Sequence, residues 1–305
     1  MTQLSVIVIV VGDTVTPFCG TDELRECIAS LGKQINSPSM EIIVPHHAGI
    51  RGIELLQDQY PGVVFIDAEH LGFRSRKGWS REHHDELRTR GVLAARGEII
   101  AFLEDHTRPA EDWSSCVMSA HSNFPFAGIG GAIENGTNRL LNWAVYFCDL
   151  GRYQNPLEMA ESPFASIVNI SYKRSSLNKI HEVWEQKFDE TAVNSTLIAR
   201  GEKIALSPDI VVYTHRQNLS LGIALKEFFI WGRSYARNRS ISLKWTKRLF
   251  LVAFSVFLPF LMLWRMIRRV GQKKRNVREF IKTTPVLLSE TISWSLGEMF
   301  GYIFS

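Results

Sequence analysis

The sequence predicts an α/β protein: a doubly wound, mostly parallel sheet followed by a helical tail. Three observations predict it. Apolar strand-like runs alternate with helically spaced segments through the first 110 or so residues, the pattern of a parallel sheet with crossover helices. One run, Ile99 to Leu103, is uninterrupted by charge and stops abruptly at Glu104-Asp105-His106. Composition shifts after about residue 220, where an uncharged stretch lies among clustered cations.

Taken in order, Ser5 to Val11 is rich in β-branched residues and reads as the first strand. Asp22 to Gln34 has helical spacing through Leu24, Cys27, Ile28 and Leu31, with Thr21 or Asp22 as cap. Glu41–Val44 and Val63–Ile66 read as short buried strands. Arg81–Arg96 reads as a helix with Gly97 as its C-cap. Glu98–Leu103 is a strand buried on both faces, because a continuous apolar run leaves no polar face for water. Beyond it, Phe126–Ala132 is a glycine-broken apolar stretch and Ala165–Tyr172 reads as a strand. Thr191–Arg200 reads as a short helix stopped by Gly201, and Ile204–Leu206 and Ile210–Tyr213 as two β segments ending at His215.

The tail is of a different kind. Leu249 to Trp264 carries no charge and is interrupted by Pro259, short of the roughly 20 residues of a spanning helix. Val286 to Phe304 is apolar but holds Glu290 and Glu298. Cations flank the first stretch on both sides, from Arg233 to Arg248 and from Arg265 to Arg278. That arrangement favours an interfacial or re-entrant element, or a helical hairpin with both ends cytoplasmic, at an anionic membrane. A boundary near residue 220 follows: a domain over 1–220 and a basic, apolar, membrane-associated tail over 221–305.

Composition narrows the function. Charged residues make up 22% and hydrophobic ones 45%, an ordinary globular balance, and a net charge of +4 is too weak to argue for nucleic acid. Four cysteines without a CxxC pair give neither a disulfide framework nor a zinc site, which fits a reducing compartment. The N-terminus has no basic region ahead of its apolar run, so no secretory signal is expected. No P-loop and no GxGxxG supports ATP hydrolysis or dinucleotide redox chemistry. The adjacent His83 and His84 point about 100° apart on a helix and make poor co-ligands. Glu104, Asp105 and His106 are the informative residues. At the carboxyl end of a buried strand, where open α/β sheets bind ligands, two carboxylates and an imidazole can hold a divalent cation, and a cation can hold a diphosphate.

Several ordered segments resemble the family 2 glycosyltransferases, which have the GT-A fold. SVIVIVVGD followed by LRECIASLGKQ is similar to that family's first strand and helix. LRTRGVLAARGEIIAFLEDHTRPAEDW is similar to its "A-R-N-x-G … G-E-I-I-x-F-L-D-x-D … P-x-x-W". NISYKRSSL resembles its acceptor-side "G-A-N-x-x-x-R-R", and FDETAVNSTLIARGEKIALSPDIVVYTH its "E-D-x-x-L-x-x-R-L-x-x-x-G … V-x-H". The resemblance covers about residues 4–216. Departures are plain: Glu104-Asp105-His106 stands for Asp-any-Asp, His46-His47 for two acids, Asp189-Glu190 for Glu-Asp, and "Q-x-x-R-W" is absent.

The resemblance implies an inverting, membrane-associated glycosyltransferase of polysaccharide or cell-envelope biosynthesis. Its donor would be a nucleotide-diphosphate sugar and its acceptor a saccharide or lipid-linked glycan. It implies Glu190 as general base, with Asp189 second to it. Glu104, His106 and His215 are implied as ligands of Mn²⁺ or Mg²⁺, the imidazole favouring Mn²⁺. Asp13, Arg88 and Asp105 are implied as contacts of the nucleotide and diphosphate, and His46 and His47 stand where family acids would. Two other readings stay open: a non-catalytic nucleotide-sugar-binding scaffold at the membrane, and a nucleotidyltransferase, for which the glycine-rich phosphate loop is missing.

Overall fold

The computed structural model describes residues 2–11, 20–47, 50–68, 82–240 and 243–304. In chain order the elements are β1 (Leu4–Ile9), α1 (Asp22–Leu31), β2 (Met40–His46), α2 (Ile53–Gln59), β3 (Val64–Asp67), α3 (Glu82–Ala94), β4 (Ile99–Glu104) and β5 (Thr107–Pro109). There follow α4 (Trp113–Asn123), β6 (Gly128–Asn135), α5 (Leu140–Asp149), β7 (Ala160–Glu161), β8 (Asn169–Lys173), α6 (Arg174–Asn178), α7 (His181–Trp184), α8 (Glu190–Ala199) and β9 (Ile204–Thr214). The chain ends in α9 (Leu221–Ser240), α10 (Trp245–Phe254), α11 (Leu258–Lys273) and α12 (Val277–Ile303). It divides into two compact units, Met1–Gly136 with Tyr153–His215, and Thr137–Arg152 with Arg216–Ser305.

The first unit holds one sheet in the order β3-β2-β1-β4-β8-β6-β9-β5, with β7 on β9. β3, β2, β1 and β4 run parallel, β8 is antiparallel to both its neighbours, and β6 and β9 pair in parallel. β1 and β4 are buried along their whole length, as their unbroken apolar sequences require in a parallel sheet covered on both faces. Chain order reverses between β1 and β4, and there Ile9 pairs with Glu104. This is the topological switch point of a doubly wound sheet. Behind it Phe102, Tyr172 and Phe188 form an aromatic cluster, with centroids 4.6 to 6.2 Å apart.

Two expectations need correction. Gly97 does not cap α3, which ends at Ala94. Gly97 instead lies against β1: its N–H donates to Ser5 Oγ at 2.7 Å, and a Cβ there would meet Ser5 N at 2.6 Å. The two β segments before His215 are one strand. The β6 register passes from Gly131–Ser207 to Ala132–Val211, so Pro208, Asp209 and Ile210 bulge out of the ladder. The buried Asn169 side chain ties this bulge, donating to the carbonyls of Ala132 and Ile210 at 2.9 Å each and accepting from Trp113 Nε1 at 3.0 Å.

The second unit is helical. Its core joins Val145 of α5 to Leu219, Ala224 and Phe228, and Phe147 packs edge-on to Phe280 of α12. Glu227, buried on α9, receives a bidentate pair from Arg216 at 2.7 and 2.8 Å. α9 and α12 approach backbone to backbone at Gly297, where a Cβ would collide with the Phe229 carbonyl. The run Trp245–Lys273 is helical over 29 residues, and its most apolar window, of mean hydropathy 2.1, is only 17% buried. By length and composition it is the one helical run among the described residues able to cross a membrane. Phe257, Phe260 and Trp264 are among its exposed side chains.

Candidate functional site

The site is built where β4 gives out. Glu104 is its last residue, and Asp105 and His106 turn the chain into β5. All three are buried. The turn is tied by backbone, Asp105 N–H donating to the Ile9 carbonyl at 2.9 Å, and by side chain, Thr107 Oγ1 donating to the Glu104 carbonyl at 2.7 Å. Asp105 Oδ1 accepts from the Val11 N–H at 3.3 Å, which fixes that carboxylate across the end of β1. His106 sits between the acids, with Nε2 3.8 Å from Glu104 Oε2 and Nδ1 3.6 Å from Asp105 Oδ1.

Arg88 comes up from α3 beneath them. It is 2% exposed, its terminal nitrogens 2.6 Å from Asp85 Oδ1 and 3.5 Å from Glu104 Oε1. A guanidinium this deep needs carboxylate partners, and protein carboxylates supply them here. Asp85 carries the network onward: Oδ2 lies 3.5 Å from Lys187 Nζ, and its carbonyl accepts from the Phe188 N–H at 3.1 Å. These links seat the start of α8 beside α3. Asp189 is the N-cap of α8, its Oδ1 accepting from the Ala192 N–H at 2.9 Å. Glu190 is the first residue of the helix and is half-buried. Tyr172, beneath, donates to Asn194 Oδ1 at 2.7 Å. Burial first, and then the charge of Glu190, push the Tyr172 hydroxyl well above its ordinary value, while Arg88 pulls it down. Glu190 and Arg88 therefore both act on one buried group.

His215 follows β9. Its N–H donates to the His106 carbonyl at 2.7 Å, and its ring lies where a side chain on Gly136 would be. Burial, then the charges of Arg108 and His106, lower its pKa, so the imidazole is neutral at neutral pH. On the far side of β1 from β4, His46 ends β2 and is buried, its pKa lowered by that burial first. His47 meets His83 edge-on and His83 meets His84 at a tilt, with centroids 5.8 and 3.9 Å apart.

The structure thus brings Glu104, Asp105, His106 and Arg88 together, with Asp189 and Glu190 on the adjoining helix. His215 joins them through its N–H bond to the His106 carbonyl. Among the described residues no three His, Cys, Asp or Glu side chains are grouped to hold a metal ion. The Glu104–His106 and Asp105–His106 pairs, at 3.8 and 3.6 Å, have donor chemistry and spacing that a divalent cation bridges two at a time. Asp13 lies outside the described residues. Asp85, Lys187 and Tyr172 were not singled out in the sequence. The Asp85–Arg88 spacing of three on a helix is the local signal that could have found the first.

No family model matches the chain, and no curated protein matches it in sequence. Solved structures do match. The chain is similar to a mannosyltransferase from Pyrobaculum calidifontis in complex with GDP-Man and Mn²⁺, with a TM-score of 0.57 and 12% identity over 97% of this chain and 86% of that one. It is similar to residues 1–349 of S. aureus TarS, with a TM-score of 0.51 and 14% identity over 96% and 91% of the two chains. The same protein in complex with UDP matches at 0.50 and 13%, with the same coverage. At these identities the likeness is one of fold. The fold is GT-A, as the sequence resemblance implied.

Proposed function

We propose that the chain is a family 2-like, inverting glycosyltransferase. It would move a sugar from a UDP- or GDP-linked donor to a saccharide or lipid-linked glycan at the cytoplasmic face of a membrane. One observation carries this reading. In a GT-A fold, the Arg88–Asp85–Lys187 network links Glu104 at the end of β4, through α3, to the segment that leads into α8. The neighbours' GDP-Man and UDP support the donor class.

In this reading Glu190 accepts the proton of the acceptor hydroxyl. The acceptor oxygen bonds to the anomeric carbon, the bond from that carbon to the donor diphosphate breaks, and the anomeric configuration inverts. Asp189 is the weaker candidate because its carboxylate already caps α8. A divalent cation held by Glu104 or Asp105 with His106 would neutralise the leaving diphosphate. Arg88, spent on two protein carboxylates, positions Glu104 rather than gripping the donor. His215, neutral and beside His106, is a secondary contact, and Asp13 a contact of the nucleotide. The exposed apolar face of Trp245–Lys273, flanked by cations, supports attachment to an anionic membrane.

The test is release of nucleoside diphosphate when the purified chain meets a panel of UDP- and GDP-sugars with and without Mn²⁺. Turnover of one donor is expected. Donor-dependent thermal stabilisation without turnover would favour the membrane-tethered binding scaffold, a reading the enclosed Glu104–Arg88 pair keeps in play.

A further inference from the structure

The helical unit contains a cavity of about 550 Å³, within the size range of small-molecule sites. Its lining divides chemically. Phe250, Phe254, Leu258, Met262, Met266 and Trp294 give it apolar walls. Arg152, Arg239, Arg265 and Arg269 also line it. Lys273 adds another cation beside them, its Nζ donating to the Arg152 carbonyl at 3.1 Å. Among the described residues Glu298 is the only acid in the lining, and it is tied down: its carboxylate accepts from Trp294 Nε1 at 3.0 Å and from the Tyr302 hydroxyl at 3.1 Å. Burial raises its pKa. Phe250 and Phe254 are themselves exposed, so the apolar wall continues onto the exposed face of α10.

A cavity whose lining combines apolar side chains with four guanidinium groups suits an amphiphile with a multiply charged anionic head. Four arginines exceed what a single carboxylate would need. Planar guanidinium forks match phosphate oxygens, and Met and Phe walls accept a flexible hydrocarbon chain. We infer that this cavity binds a phosphate-headed lipid, head among the arginines and chain along α10 and α11. The site lies wholly within the helical unit and does not depend on glycosyl transfer by the other unit. The same chemistry describes a membrane phospholipid and a prenyl phosphate.

The test is binding to the full chain in mild detergent of four probes: farnesyl phosphate, farnesol, dihexanoyl phosphatidic acid and inorganic phosphate. At least one phosphate-headed lipid is expected to bind, with farnesol and inorganic phosphate each at least about tenfold weaker, as loss of charge-assisted hydrogen bonds or of the apolar wall requires. Preference for farnesyl phosphate would identify a prenyl carrier, and preference for phosphatidic acid a membrane phospholipid. Arg265→Glu, at an exposed position, should weaken binding at least about tenfold. Met262→Trp, which fills the cavity and leaves the charges, should do the same. Farnesol binding as tightly as farnesyl phosphate, no binding by either phosphate lipid, or wild-type affinity in both variants would overturn the assignment. Nucleotide-sugar turnover, measured separately, reports on the other unit alone.

Discussion

Replacing Glu290 by Gln tests how the helical unit is held. Glu290 lies on α12 with no exposed surface, and neither carboxyl oxygen has a hydrogen-bond partner among the described residues. Burial first, then the charge of Asp149, push its pKa from an ordinary 4.5 up to about 9, against the pull of Arg216. Between those values the unfolded chain has lost the proton and the folded chain has kept it. The folded state binds more protons, so stability falls as pH rises across that window. At 1.36 kcal/mol per pKa unit, the cost is below about 1 kcal/mol at pH 5 and on the order of 4 kcal/mol at pH 8. Glutamine keeps the shape and cannot titrate. Thermal unfolding at both pH values should therefore show near-equal Tm for wild type and Glu290→Gln at pH 5. At pH 8 the variant should be higher by roughly 10 °C, taking about 2–4 °C per kcal/mol. An equal difference at the two pH values, or a less stable variant at pH 8, would refute the reasoning.

Other consequences follow from named contacts. Arg88→Met leaves Asp85 and Glu104 without their buried cation and should cost about 3–5 kcal/mol, read as a large fall in Tm; a fall of only a degree or two would contradict the pairing. Gly97→Ala drives a methyl into the Ser5 backbone and should cost about 1–3 kcal/mol by denaturant unfolding; wild-type stability would show that β1 and the α3–β4 turn are not in contact. Phe257, Phe260 and Trp264, all exposed, should carry membrane attachment. Changing the three to Ser should lower co-flotation with anionic vesicles at least about tenfold without loss of folding, and unchanged co-flotation would remove the membrane-facing role of this helix.

Much of the first unit was legible because parallel strands buried on both faces are continuous apolar runs. β1 and β4 show this, and Glu104-Asp105-His106 stands out by ending such a run. What depended on distant contacts was not legible. Gly97 follows a helix, so local pattern suggests a cap, yet its neighbour is Ser5, ninety-two residues earlier in the chain. Pro208 and Asp209 break the periodicity of β9 because three residues bulge opposite none on β6, and Asn169 stabilises that bulge from another strand. β5 is three residues long, too short for any alternation to show. α5 looks like one more apolar helix of the sheet domain, but its buried face meets α9 and α12. In the site, an arginine on α3 was visible as a candidate for the diphosphate. Its pairing with Asp85 is a spacing of three on α3, but its pairing with Glu104 follows only once α3 is docked under β4.

The central claim is that a base on α8 serves glycosyl transfer at the end of β4. The most direct measurement compares Glu190→Gln with Asp189→Asn in donor binding and in turnover of the donor that wild type uses. Glu190→Gln should keep donor affinity within about threefold and lose at least about 100-fold in kcat, the contribution of a positioned general base. Asp189→Asn, whose loss is a helix cap, should lower stability by about 1 kcal/mol or less and retain most of kcat. Wild-type kcat in Glu190→Gln would contradict the account.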